Sequence, residues 1–301
     1  MTSTSRELRV LSDGMVLAGA LWLPASPPTA AVLMHPGSGP SDRDNDVFFP
    51  PIREHLLASG IAVASFDKRG VGGSRGRWED AGIVEQADDA LACVATLGER
   101  VEAPVGLFGH SQGGWVVVEA TSRSSSVAFA IASSGPGVTP AEQERYSART
   151  YLRSRGLTPD HLDEAMEDFE LLVAMMRDRV RFDDAVRRIE EQGLGSAYDE
   201  LDLPFVPETQ AQWDFACGML DYDPRPALER IRVPILALFG GEDPIVPVEE
   251  SVAVYRSSVR PELLQVEVFP GADHRVHIGD PPRLADGYLD TLASFIGGAV
   301  S

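Results

Sequence analysis

An apolar run over residues 105–108 stops abruptly at Gly109-His110-Ser111-Gln112-Gly113, and a helix-compatible run over residues 115–120 follows at once. A chain that passes from strand to helix in so few residues has to turn tightly about Ser111. Side chains at Gly109 and Gly113 would collide with the neighbouring strand and helix, and the serine is forced into a strained backbone conformation. Its hydroxyl then stands at the carboxyl end of a strand and at a helix N-terminus, where developing negative charge is favoured. A serine so placed is a candidate nucleophile. It needs a base, and the base needs a carboxylate to orient it.

Both are found downstream. Residues 234–239 read as a buried strand followed by Gly240-Gly241-Glu242-Asp243-Pro244, and residues 264–269 as a strand ending in Pro270-Gly271-Ala272-Asp273-His274. Each strand delivers a polar residue just past its carboxyl end, so the order along the chain is Ser111, Asp243, His274. In this order the sequence resembles the α/β-hydrolase superfamily, whose order is Ser…Asp/Glu…His. Two further stretches carry the resemblance. His35-Pro36-Gly37-Ser38-Gly39-Pro40-Ser41-Asp42-Arg43-Asp44 follows the strand at 31–34, where the superfamily places its oxyanion-hole loop. Asp67-Lys68-Arg69-Gly70-Val71-Gly72-Gly73-Ser74 follows the strand at 61–66 and is similar to the superfamily's D-x-R-G-x-G-x-S turn.

The resemblance implies an α/β-hydrolase fold: a mostly parallel sheet with helices on both faces and an inserted all-helical cap. It implies a catalytic Ser111-His274-Asp243 triad, with the backbone N–H groups of Gln112 and Ser38 as the oxyanion hole. The loop Gly37-Ser38-Gly39-Pro40 with Asp42-Arg43-Asp44 also resembles a bacterial esterase branch, whose extra polar residues brace the loop. Arg43 and Asp67 are expected to pair across neighbouring strand ends. His277, close to His274, and Glu242, beside Asp243, are the rival assignments for base and carboxylate. His110 and His35 are expected to pack structurally, and His161 to be exposed on a helix.

The rest of the chain accommodates this fold. Strands are expected at 6–11, 15–23, 30–34, 61–66, 105–108 and 127–133, with helices at 47–59 and 83–98. Interior strands that are apolar throughout suit a parallel sheet covered on both faces. After Ser133-Ser134-Gly135-Pro136-Gly137 the alternation stops, and residues 140–226 contain only helical patterns. Thr158-Pro159-Asp160 is a helix start, with threonine as N-cap and proline in the first turn. Behind it Leu162, Ala165, Met166, Phe169, Leu172, Val173 and Met176 recur at helical spacing. The expected organisation is a core domain of residues 1–137 and 224–301, with residues 138–223 as the cap.

Composition sets limits on partners. The 301 residues carry a formal charge of −20, which argues against nucleic acid or an anionic membrane surface. Residues 141–223 hold 20 acids against 9 arginines. The bland account is a solvated outer face of amphipathic helices. The sharper one is a carboxylate that captures a substrate amine, with Glu208, Asp214 and Asp221 as candidates. Lys68 is the only lysine, which looks like coding bias. Neither a signal peptide nor a membrane span is visible, and Cys93 and Cys217 lack metal spacing, so a cytoplasmic protein without metal or cofactor is expected.

Cap aromatics, Tyr146, Tyr151, Tyr198, Phe205, Trp213, Phe215 and Tyr222 among them, can pack the cap on the core or line the cleft. Trp213, Phe215 and Tyr146 are the candidates for the substrate pocket, which would then favour a mid-sized, largely apolar small-molecule acyl substrate. The leading expectation is a serine hydrolase acting on a carboxylic ester, thioester or lactone through an acyl-enzyme. An aminopeptidase or amidase of the proline-iminopeptidase type is the second. A non-hydrolytic biosynthetic or ligand-binding member of the fold is the third.

Overall fold

In the computed structural model, which describes residues 4–192 and 207–301, the apolar strands assemble into one sheet. Its members are β1 (Thr4–Ser12), β2 (Met15–Leu23), β3 (Ala30–His35), β4 (Ile61–Phe66), β5 (Val105–His110), β6 (Ala130–Ser133), β7 (Ile235–Gly240) and β8 (Leu264–Phe269). They lie in the order β1-β2-β4-β3-β5-β6-β7-β8. The hairpin β1–β2 and the β2–β4 pair are antiparallel, and every pairing from β4 through β8 is parallel. The strands β3 to β7 are almost wholly buried, in keeping with their predominantly apolar sequences.

Helices cover both faces. On one side α2 (Ile83–Gly98) and α3 (Gln112–Arg123) pack Ala87, Ala90, Val94, Trp115 and Val116 against Leu17, Leu33, Ala64 and Leu107. On the other, α1 (Phe49–Ala58) joins a C-terminal helix over Tyr288–Ala299, so that Phe49, Ile52, Tyr288 and Leu292 meet Met34, Val63, Phe108 and Ile131. The α/β-hydrolase expectation for the fold holds.

Several boundaries shift by a few residues, two of them for evident local reasons. The helix expected from 47 starts at Phe49, because Pro50 and Pro51 fit only the first turn, where no N–H is needed. The strand expected from 127 begins at Ala130; the Phe129 ring instead fills the space over Gly106, where a Cβ would overlap it.

Between β6 and β7 the described residues form only helices: α4 (Pro140–Ser154), α5 (Pro159–Arg177), α6 (Phe182–Gln192), α7 (Gln210–Met219) and α8 (Arg225–Arg230). The start of α4 is a capping box: the Thr139 hydroxyl accepts from the Glu142 N–H while the Glu142 carboxylate takes the Thr139 N–H. Thr158 caps α5 and Thr209 caps α7. Leu162, Met166, Phe169, Val173, Met176 and Trp213 give these helices an apolar core of their own. Tyr198 and Phe205 fall outside the described residues.

Candidate active site

The loops that leave the carboxyl ends of β3, β4, β5, β7 and β8 converge on one edge of the sheet, where open parallel sheets bind their ligands. Ser111 follows β5 with φ 54° and ψ −122°, a conformation that costs a non-glycine residue about 1–3 kcal/mol. Its N–H is held by the Ser133 carbonyl at 2.9 Å, and its own carbonyl accepts the Gly114 N–H at 2.7 Å. The glycines around it allow the strain. A Cβ on Gly109 would overlap the Gly113 carbonyl, and one on Gly113 would lie 2.6 Å from the His35 carbonyl oxygen.

Asp243, in the loop after β7, is 2% exposed. Its Oδ1 accepts the N–H groups of Ile245 and Val246 at 2.8 and 2.9 Å, which fixes the carboxylate. Its Oδ2 lies 2.8 Å from His274 Nδ1. That bond leaves Nε2 of His274 for a second partner. Ser111 and His274 line the same cavity, of about 640 Å³, although no hydrogen bond joins their side chains among the described residues. Such bonds often tighten only when substrate binds.

The rival residues are accounted for elsewhere. His277 packs its ring 6.0 Å from Phe48, and Glu242 is exposed. His110 is buried, with Nδ1 3.1 Å from the Asn45 amide and its ring 4.4 Å from Phe48; burial, then the neighbouring His274, hold its pKa well below the usual histidine value. His35 bonds Gln86 at 3.2 Å and is kept neutral by burial and by Lys68, with a pKa down to about 3. His161 is exposed beside Thr158.

The loop after β3 is braced as its polar residues led one to expect. Arg43 meets Asp67 with Nη2 at 2.9 Å and Nε at 3.1 Å, and the Arg43 N–H adds a third bond to the same carboxylate. Burial alone would raise the Asp67 pKa, but these bonds hold it low. Arg53 pairs with Asp44 at 2.7 Å and Arg275 with Asp46 at 3.1 Å. Gly37 lies beside the nucleophile: a Cβ there would be in ordinary contact with the Ser111 Cβ, at 3.5 Å. The N–H groups of Ser38 and Gln112 are not committed to another backbone carbonyl among the described residues.

The substrate-pocket candidates lie elsewhere. Trp213 is 2% exposed, in the core of the inserted helices, with its indole N–H on the Val180 carbonyl at 2.8 Å. Phe215 sits edge-on to Trp78, 5.0 Å between ring centres. Tyr146 donates to the Asp243 carbonyl at 3.1 Å, one step behind the cavity wall. The candidate amine-capturing acids are also away from it: Asp221 pairs with Arg177, Asp214 bonds Gln210, and Glu208 is exposed. The insertion reaches the cavity instead through Gln143 and Glu144 of α4. Burial pushes the Glu144 carboxyl up to about 7, and its Oε2 has no partner. Nothing in the sequence separates Glu144 from the other acids nearby. The described wall is largely polar, with Ser38, Ser41, Asp42, Asn45, Asp46, Glu144 and Arg275 against Pro40, Val71 and Ile245.

Comparison with known proteins gives a consistent picture. The family described as serine aminopeptidase, S33, matches residues 27–281. Esterase EstD of Thermotoga maritima is 26% identical over 271 residues, 88% of this chain; the chain spans 59% of EstD's length. The bifunctional esterase/perhydrolase DCH of Acinetobacter calcoaceticus is 27% identical over 296 residues, covering 94% of this chain and 97% of that protein. The structure of a Pyrococcus furiosus esterase superposes with a TM-score of 0.65 at 17% identity, covering 99% of this chain and 92% of that one.

Proposed function

The chain belongs to the serine aminopeptidase S33 family of the α/β-hydrolase superfamily, and on that premise we propose that it is a serine carboxyl-ester hydrolase. The observation that carries the reading is the strained Ser111 on the wall of one cavity with the His274–Asp243 pair. Ser111 Oγ attacks the ester carbonyl carbon as His274 Nε2 takes its proton, and the carbonyl π electrons move onto oxygen. The N–H groups of Ser38 and Gln112 hold that oxyanion, each such donor being worth roughly 3 kcal/mol in the transition state. Collapse expels the alkoxide, which leaves with the proton from His274. Water, deprotonated by the same imidazole, then frees the acid from Ser111. Asp243 holds the ring and balances its charge without taking the proton.

Residues 138–223 act as a cap on a core of residues 1–137 and 224–301, supplying Gln143 and Glu144 to the cavity and bracing the Asp243 loop through Tyr146. The polar wall favours a compact ester with polar substituents over a long aliphatic chain. Among the described residues no helix is long and apolar enough to cross a membrane, and two free, buried cysteines fit a reducing cytoplasm.

A panel of p-nitrophenyl esters from acetyl to palmitoyl, run beside aminoacyl p-nitroanilides, tests this reading. The expected order puts acetyl and butyryl esters first, long-chain esters behind them, and the anilides last. A higher kcat/KM on an anilide with a free α-amino group would replace the esterase reading by an aminopeptidase one.

A further inference from the structure

Lys68 stands where a cation is costly. It follows Asp67 at the carboxyl end of β4 and is 8% exposed. Its Nζ donates to the Gly37 carbonyl oxygen and, at 2.8 Å, to Oε1 of Gln112. No carboxylate among the described residues forms an ion pair with it, since Asp67 is taken by Arg43 and Asp89 by Arg69. Burying an ammonium without a counter-ion costs several kcal/mol, and an apolar side chain of similar volume would pack there more cheaply. Yet this is the one lysine in a chain whose other fixed cations are all arginine.

Its two acceptors point to a reason. The Gly37 carbonyl belongs to the same planar peptide as the Ser38 N–H, and Gln112 carries the other proposed oxyanion donor. In a trans peptide, C=O and N–H point in opposite directions, so a cation gripping the carbonyl from behind aims the N–H forward. It also polarises that N–H and strengthens it as a donor.

We propose that Lys68 is a positioning residue for the oxyanion hole, holding the Gly37–Ser38 peptide and Gln112 in place and gaining, as Ser111 attacks, the negative partner it lacks at rest. The proposal rests on the assignment of Ser111 as nucleophile and of the Ser38 and Gln112 N–H groups as donors. The groups facing Lys68 leave its charge uncancelled. His35 is neutral; Gln86 and Gln112 are uncharged; Asp67 and Asp89 are each paired with an arginine. Burial brings the Lys68 pKa down to about 7, so its charge is present below neutrality and lost as pH rises through that value. In the free enzyme kcat/KM should therefore show an alkaline limb near neutrality.

Two variants separate this from a structural role. Lys68→Met, assayed on p-nitrophenyl acetate, should lose about 100-fold in kcat with KM changed by less than about threefold. It should lack the alkaline limb and bind an aryl trifluoromethyl ketone, which forms a hemiketal anion on the serine, about 100-fold more weakly. Gln112→Glu sets a carboxylate against the ammonium without removing either side chain's bulk. It should raise the melting temperature while lowering kcat about tenfold, because the cation is then already neutralised. A folded Gln112→Glu protein that keeps wild-type kcat overturns the proposal. So does a folded Lys68→Met protein with kcat and ketone affinity within about threefold of wild type. A wild-type enzyme that forms no covalent ketone adduct at Ser111 instead overturns the underlying nucleophile assignment, and the proposal with it.

Discussion

Ser111→Ala should leave a folded protein whose kcat on a short ester has fallen by about a million-fold, the loss seen when the nucleophile of a serine triad is removed. The fold should survive, because the serine holds its neighbours through its backbone. Its N–H on Ser133 and its carbonyl on Gly114 remain in the variant. Alanine tolerates the φ of 54° about as poorly as serine does, so stability should move by less than about 1 kcal/mol. The residual rate comes from the oxyanion donors acting on bound ester, which alone give roughly 10³–10⁴ over water. Steady-state kinetics beside a thermal melt read both halves. Near-normal turnover in a preparation free of contaminating esterase contradicts the mechanism; lost turnover together with lost structure contradicts the account of the elbow.

The histidine substitutions should diverge by several orders of magnitude. His274→Ala removes the ring bonded to Asp243, leaves that buried carboxylate facing a gap, and should lower kcat by about 10⁴–10⁶. His277→Ala keeps the N–H bond from residue 277 to the Asp273 carboxylate at 2.8 Å, and should change kcat by less than about tenfold. Its ring packs on Phe48 and so contributes to loop stability, which appears as a small drop in melting temperature. Kinetics of the two purified variants on one ester decide the matter, and a reversed ranking transfers the base to His277.

What was legible in the sequence follows from how local each signal is. The elbow is written in five consecutive residues, and its glycines are dictated by contacts with the adjoining turn and loop. Asp243 and His274 each sit a few residues past a strand, so strand order alone carries them to one sheet edge. The Arg43–Asp67 pair was foreseeable for the same reason, since β3 and β4 are neighbours. Trp213 was not. An aromatic in a helical insertion faces either the insertion's own core or the cleft, and only packing decides; here the Val180 carbonyl takes its indole N–H on the inner side. Lys68 lies between these cases. Its rarity was visible in the composition, but its meaning depends on the Gly37 carbonyl and the Gln112 side chain, 31 and 44 residues away. Glu144 differs from Glu142, the other acid of α4, in lying beside the cavity while Glu142 closes the capping box.

The central claim is that Ser111 is the nucleophile of an acyl-transfer site assembled with His274 and Asp243. A fluorophosphonate reports on it directly, because phosphorus accepts the serine oxygen as fluoride leaves and the bond does not turn over. Mass spectrometry of the intact protein should show one adduct per chain, and peptide mapping should place it on Ser111. Labelling should be abolished in Ser111→Ala and strongly slowed in His274→Ala. An adduct on another residue, or full labelling of the Ser111→Ala protein, would contradict the account.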